Sequence, residues 1–445
     1  MMRTPLRVLS VLLAGALLGA CDLAPDWFGG TEEPPLPGQR LSVLALEGTI
    51  EPDPRIADLD VRLPRPYVNE SWPQSGGYPD HAMHHLAGGD LLLPFWRSSI
   101  GEGSGDDGRI LTTPVVAGGR VFAIDAIAVV SAFDANTGKR LWRIDPRIED
   151  GEEDGFGGGL AYSGGLLFVT TGFGHVIAMD PSNGAQVWRQ DIGIPMRASP
   201  VVAGGRLFVV TYDNQLWALS AEDGAIQWSN AGITETAGLL GAASPAVDND
   251  IVIAPYSSGE LIALRVENGR TVWADSLGAQ RPGAGSLAAL NDINGSPVID
   301  RGVVYAISHG GRLVAIDVRT GSRVWEQDIA GLNTPWIAGD YLFVVTVDGD
   351  VVCLSRHNGR VKWVHSLPRF EDEDSRDEPI FWNGPLLLSD RLIVLGSNGD
   401  ALALSPYSGR LLGQLEMPYG VRIAPIAANG TLYILTDDGD LIALR

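Results

Sequence analysis

A string close to A-[LIMF]-D-x-x-[TSN]-G-x-x-[LV]-W recurs along this chain of 445 residues. It reads AFDANTGKRLW at 132–142, AMDPSNGAQVW at 178–188, ALSAEDGAIQW at 218–228 and ALRVENGRTVW at 263–273. AIDVRTGSRVW at 315–325, CLSRHNGRVKW at 353–363 and ALSPYSGRLLG at 403–413 follow, the last without its Trp. Self-similarity at roughly 40–50 residues is the mark of a propeller or solenoid. Within the unit after Met196, SPVVAG, RLFVVTY, QLWALS and AIQWS each read as a short strand rich in β-branched and aromatic residues, separated by Gly-Gly, Asp-Asn and Glu-Asp-Gly turns. Four antiparallel strands per repeat make a propeller blade.

Each motif position has a mechanical role. The Asp or Ser bonds its own turn. The glycines, Gly138, Gly184, Gly224, Gly269, Gly321, Gly359 and Gly409, supply a left-handed conformation. The Ala answers to crowding in the inner part of a propeller. The tryptophans, Trp96, Trp142, Trp188, Trp228, Trp273, Trp325 and Trp363, fill the wedge between blades. Counting these with the Gly413 equivalent gives eight outer strands. The repeat ending at Arg445 has three strands, and PFWRSSIG at 94–101 is a Trp strand with no blade before it. The expectation is an all-β, eight-bladed propeller of four-stranded antiparallel blades over 92–445, its last blade closed by the N-terminal strand.

The N-terminus reads as a targeting segment over 1–20. Arg3 and Arg7 precede an apolar stretch, Val8 to Leu18, too short to span a bilayer comfortably. Leu18-Gly19-Ala20-Cys21 resembles a bacterial lipobox, which makes Cys21 the lipidated residue. Asp22 to Arg40, with Pro34, Pro35, Pro37, Gly29, Gly30 and Gly38, is an extended tether. Residues 41–91 are an extension expected to wrap over one propeller face, with LSVLAL at 41–46 a short edge strand. The net charge of -22 becomes -24 once residues 1–20, with two Arg and no acid, are removed. That excludes nucleic acid as a natural partner and any basic-patch attachment to anionic lipid; two or more acyl chains would hold the protein on a membrane. With only Cys21 and Cys353, and Cys353 standing in for a motif Ala, there is no disulfide framework.

The search for chemistry returns little. His81, His84 and His85 are the only clustered histidines and lack metal-ligand spacing. Asp348-Gly349-Asp350 and Asp437-Asp438-Gly439-Asp440 look like calcium loops but fall at hairpin turns. The acidic runs 149–154 and 371–378 fall in solvated inter-strand loops. Nucleophile elbow, Walker loop and zincin motif are absent from the sequence. No catalytic, cofactor-binding or metal residue is assigned.

The repeat resembles that of pyrroloquinoline quinone (PQQ) dehydrogenases and their non-catalytic relatives. With its lipobox, length and blade number, the chain is similar to the BamB family of outer-membrane assembly lipoproteins. The quinoproteins carry a vicinal disulfide that this chain lacks, so a PQQ-dependent dehydrogenase or PQQ-binding sensor is the alternative reading. The BamB resemblance implies a non-enzymatic scaffold of the β-barrel assembly (BAM) complex without a cofactor. It would be a monomeric propeller, lipid-anchored to the periplasmic face of the outer membrane. Asp22 raises the option of retention at the inner membrane. The implied partners are BamA, other BAM subunits and unfolded outer-membrane clients, the last by strand addition. In that family an L-x-L-R loop and a D-V-D loop contact BamA. Asp292-Ile293-Asn294 matches the second. Leu239 and Leu240 fall in the first, with Leu240 where the Arg would stand. Arg197, one blade earlier, is the other candidate for that arginine.

Overall fold

Each repeat becomes one sheet because its motif residues face each other across strands. The computed structural model describes residues 50–106, 108–147, 157–235, 238–278 and 290–445. The signal segment, Cys21, the tether, the 41–46 strand and the acidic run 149–154 lie outside the described residues. Among the described residues the strands form eight four-stranded antiparallel sheets and one two-stranded hairpin. The third blade is typical, with strands Val201–Ala203, Arg206–Val210, Gln215–Ser220 and Ile226–Ala231. The eighth takes Ile426–Ala428, Thr431–Leu435 and Asp440–Leu444 from the end of the chain, and Pro94–Ser99 as its outer strand. Trp96 pairs with Ala443, and Leu93 and Arg445 exchange both backbone hydrogen bonds at 2.9 Å. The run 371–378 lies almost wholly in the two-stranded hairpin, Phe370–Asp372 with Asp377–Pro379, and is solvent-exposed.

The motif Ala does not sit in the inner part of the blade as its size suggested. It lies on the third strand, directly opposite the Trp, with an aromatic on its other side: Phe122, Ala132 and Trp142 form one row. The small residue lets the two rings meet over it, centroids 6.0 Å apart and tilted by 43°. The same row recurs as Phe208–Ala218–Trp228 and Phe343–Cys353–Trp363. Burial in that row pushes the Cys353 thiol up, so it stays protonated and behaves as a small hydrophobe.

From each row the Trp reaches into the next blade. Trp273 Nε1 donates to Val318 O at 2.8 Å, and Trp325 Nε1 donates to Arg356 O at 2.7 Å. The indole then lies on the motif glycine of that turn. A Cβ on Gly321, at φ +72°, would be 2.6 Å from Trp273 Cγ. Asp317 holds the turn, its Oδ1 accepting from Thr320 N at 2.8 Å and Thr320 Oγ1 at 2.9 Å. Seven of the eight junctions carry this Trp-to-carbonyl bond, from Trp96 to Ala135 through Trp363 to Pro406.

The junction between blades seven and eight reverses the pairing. Gly413 stands where the Trp belongs, and Leu92, four residues before Trp96, takes the glycine position at φ +48°. Arg391 replaces the indole N–H as donor, its Nη2 bonding Gly89 O at 2.5 Å and Nη1 bonding Asp90 O at 2.7 Å. The exchange is incomplete in volume. A cavity of about 330 Å³ remains, lined by Leu91, Leu93, Leu412 and Leu415 among others.

Residues 69–86 fill the axial channel instead of lying over a face. The innermost strand of each blade has an edge with no strand partner, and buried backbone groups must bond somewhere. The segment satisfies them in turn around the ring. Trp72 pairs with Val116 in blade one, Pro73 O accepts from Tyr162 N at 2.6 Å, and Gln74 Oε1 accepts from Val202 N at 2.9 Å. Pro79 O, Asp80 O, Leu86 O and Asn69 O serve blades four, five, seven and eight through Val247 N, Ile299 N, Ser389 N and Asn429 N. His84 O takes the Trp336 indole N–H of blade six at 2.7 Å. The histidine cluster belongs to this plug. His81 Nδ1 bonds Pro297 O at 2.7 Å, His85 Nδ1 bonds Pro64 O at 2.7 Å, and His85 Nε2 accepts from Asp390 N at 3.1 Å. Burial pulls the His81 pKa down to about 4, so the ring is neutral.

Candidate partner-docking pocket

The loops that lead from the outer strand of one blade to the inner strand of the next are gathered at one end of the ring. Those entering blades three, four and five bring Arg197, Leu239, Asp292 and Asn294 into the lining of one small pocket, of about 40 Å³. Arg197 precedes the Leu239 loop by one blade in sequence, yet the two loops are neighbours in space. Its guanidinium lies 4.5 Å above the ring of Tyr212, which is half exposed.

Asp292 is not a surface residue; it is 5% exposed. Its Oδ1 accepts from Leu239 N at 3.2 Å, and its Oδ2 is buried with no hydrogen-bond partner among the described residues. Burial raises the carboxyl pKa, and the charge of Glu235 adds to the rise while His309 opposes it. Asp292 therefore positions the leucine loop from beneath. Asn294 does so from the side: its Nδ2 is 3.5 Å from Leu240 O, and its amide lies against Gly241, where a Cβ would meet Oδ1 at 2.8 Å. The exposed part of the site combines apolar and aromatic groups with the carboxylate of Glu235. Leu240 is 46% exposed, Ile233 59% and Tyr212 49%. Asn214 fixes the Ile233 loop, donating to Ile233 O at 2.7 Å and accepting from Ser257 N at 3.1 Å. Sequence reasoning missed Tyr212 and Ile233. Their signal was a large apolar group at a hairpin turn and in a loop, where neither has a core to fill.

The other assigned residues serve packing. The seven tryptophans and seven motif glycines are the inter-blade contacts already described. Asp348-Gly349-Asp350 and Asp437-Asp438-Gly439-Asp440 are hairpin turns, with Gly349 at φ +79° and Gly439 at φ +80°. Among the described residues no group of three or more His, Cys, Asp or Glu side chains could hold a metal ion.

An eight-bladed ring with an indole rivet at its junctions defines the quinoprotein-type propeller class. A quinohemoprotein alcohol dehydrogenase from Comamonas testosteroni shares the fold at TM-score 0.63 and 14% identity, covering 84% of this chain and 80% of that one. BamB from Moraxella catarrhalis superposes at TM-score 0.64 and 21% identity, over 79% of this chain and 100% of that one. Within the class, the family model described as outer membrane protein assembly factor BamB matches residues 95–153 and 127–365, and the chain belongs to that family. The outer membrane protein assembly factor BamB of Yersinia pestis is 29% identical over 300 residues, 66% of this chain and 75% of the relative.

Proposed function

We propose that the protein is a non-enzymatic assembly factor of the outer membrane, a component of the β-barrel assembly machinery that docks the periplasmic domains of BamA. The reading is carried by one observation. In a chain of this family, Arg197, Leu239, Asp292 and Asn294 line a single pocket, beneath an exposed Leu240. Leu240, Ile233 and Tyr212 supply apolar contact area, and Arg197, held on Tyr212, supplies the cation that position 240 lacks. Asp292 and Asn294 keep the leucine loop in its docking shape. The rigid ring then fixes the orientation of the bound domains. Lipidation of Cys21 would hold the propeller at the periplasmic face of the outer membrane.

The test is a mild-detergent pulldown of the tagged, lipidated protein from envelopes, comparing Leu240→Asp with Val324→Asp. Both residues are about half exposed, but Val324 lies on an outer strand away from the pocket. BamA recovery is expected to fall for Leu240→Asp alone. Equal recovery with both variants would remove the pocket from the interface, and recovery without BamA in the unaltered protein would remove the BamA reading.

A further inference from the structure

On the same end of the ring the axial channel opens as a funnel of about 580 Å³, floored by Ser75 of the plug. It adjoins the docking pocket through Gly241, Ala242 and Asn294, which line both. The chain carries 54 acidic and 32 basic residues, yet among the described residues the funnel lining holds no Asp or Glu and two arginines, Arg109 and Arg422. Two of its hydroxyls are arranged to donate, while that of Ser244 gives its proton to Ser199 O at 3.0 Å. Thr334 Oγ1 accepts from Ser296 N at 3.0 Å, and Ser296 Oγ accepts from Ser244 N at 3.0 Å. Each oxygen has used a lone pair and keeps its proton to give. Thr112 is 7% exposed, and its Oγ1 has no hydrogen-bond partner among the described residues. Arg422 is fixed by stacking 5.2 Å over Phe381 and by giving its Nε to Asp437 Oδ2 at 3.0 Å, which leaves its terminal N–H groups for a ligand.

We infer that the funnel binds a carboxylate, with the ligand's apolar body against Phe381 and Leu240. Among the described residues the wall offers donors and positive charge, and the carboxylate behind it, Asp437, is engaged by Arg422 Nε. A cation is repelled, and a neutral polyol would leave the terminal N–H groups of Arg422, whose Nε alone bonds Asp437, without an anionic acceptor. The half-exposed Phe381 and Leu240 at the mouth favour an organic acid over a bare inorganic anion. The carboxylate could be the C-terminus of a polypeptide or belong to a free small acid. Leu240 and Asn294 are shared with the docking reading, so the site is tested through Arg109 and Thr112, which line the funnel and not the docking pocket.

The experiment is isothermal titration of the full-length protein in mild detergent. The probes are the tripeptide Ala-Ala-Leu with a free carboxylate, the same tripeptide as its amide, citrate and inorganic phosphate. The free acid is expected to bind, and the amide to bind at least about tenfold more weakly. Arg109→Ser and Thr112→Val should each weaken the acid several-fold with unfolding temperature unchanged. Arg109 is exposed, so its variant folds even if the buried Thr112 variant does not. Displacement of the tripeptide by citrate supports the site with a small acid as its source; binding of the tripeptide without citrate supports a chain terminus. Equal binding of acid and amide would overturn the inference. So would phosphate binding as tightly as the acids, or no binding of either acid up to about 10 mM.

Discussion

The indole rivet predicts that two glycines with the same backbone will respond differently to one methyl group. Gly302 and Gly321 both sit in blade five with positive φ, +77° and +72°. A Cβ at Gly302 meets nothing within 4 Å, whereas at Gly321 it lies 2.6 Å from Trp273 Cγ. Alanine in the left-handed region costs roughly 1–2 kcal/mol, and that is the whole expected cost of Gly302→Ala. Gly321→Ala adds overpacking against a ring held by its bond to Val318, typically 1–3 kcal/mol. It should therefore cost about 2–5 kcal/mol. Removing the indole tests the mechanism. Trp273→Ala alone should cost about 3–5 kcal/mol. In that background Gly321→Ala should fall back to about 1–2 kcal/mol, a coupling of about 1–3 kcal/mol in the double-mutant cycle. Equilibrium urea unfolding followed by far-UV circular dichroism supplies all four free energies. Equal costs at Gly302 and Gly321, or a Gly321→Ala cost that ignores Trp273→Ala, would refute the rivet.

The junction between blades seven and eight should accept the rivet it lacks. Gly413→Trp with Leu92→Gly is expected to show favourable coupling of about 1–2 kcal/mol by urea unfolding, and non-additivity of zero would argue against the exchange of roles. His81 sets a pH dependence. Its folded pKa of about 4 lies below the ordinary 6.5, so its stabilising contribution is complete above pH 6.5 and is lost as pH falls from there towards 4. Between pH 7.5 and 5.5 the native protein should lose about 1 kcal/mol more than His81→Asn, a residue that tolerates the φ of +62°. Asp292→Asn should leave the isolated propeller as stable as before or more so, because it removes a buried, half-bonded carboxylate; a loss above about 2 kcal/mol would mean that the charge itself holds the loop.

The blades were legible because each motif residue does one local job and repeats it. Asp closes its own turn, Gly takes the left-handed position, and Trp reaches one blade onward. The role of the motif Ala was misread, because cross-strand pairing decides it and spacing within one strand does not show which strand is inner. The plug could not be read at all. Its bonds are mostly backbone bonds to strands far away, as when Asn429 N donates to Asn69 O at 2.7 Å. The exchange at the loose junction did leave a signal: Leu92 stands four residues before Trp96, where the other repeats have glycine. Arg197, Leu239, Asp292 and Asn294 were named from the sequence and line one pocket, but their division of labour was not visible. An acid in a polar loop reads as a surface group, and only the fold shows Asp292 beneath Leu239 with Leu240 outward.

The plug ties the time of folding to the full length of the chain. Residues 69–86 emerge before any blade exists, and their partners are completed only when Ala427 and Asn429 arrive. The strand Pro94–Ser99 likewise waits for Asp440–Leu444. A partial ring therefore has no closed form to rest in, and it exposes unpaired inner edges around an unfilled bore. Such high contact order makes folding slow and leaves its intermediates prone to aggregation until the final blade is made. A chain interrupted anywhere before blade eight would be a substrate for proteases, not a smaller propeller.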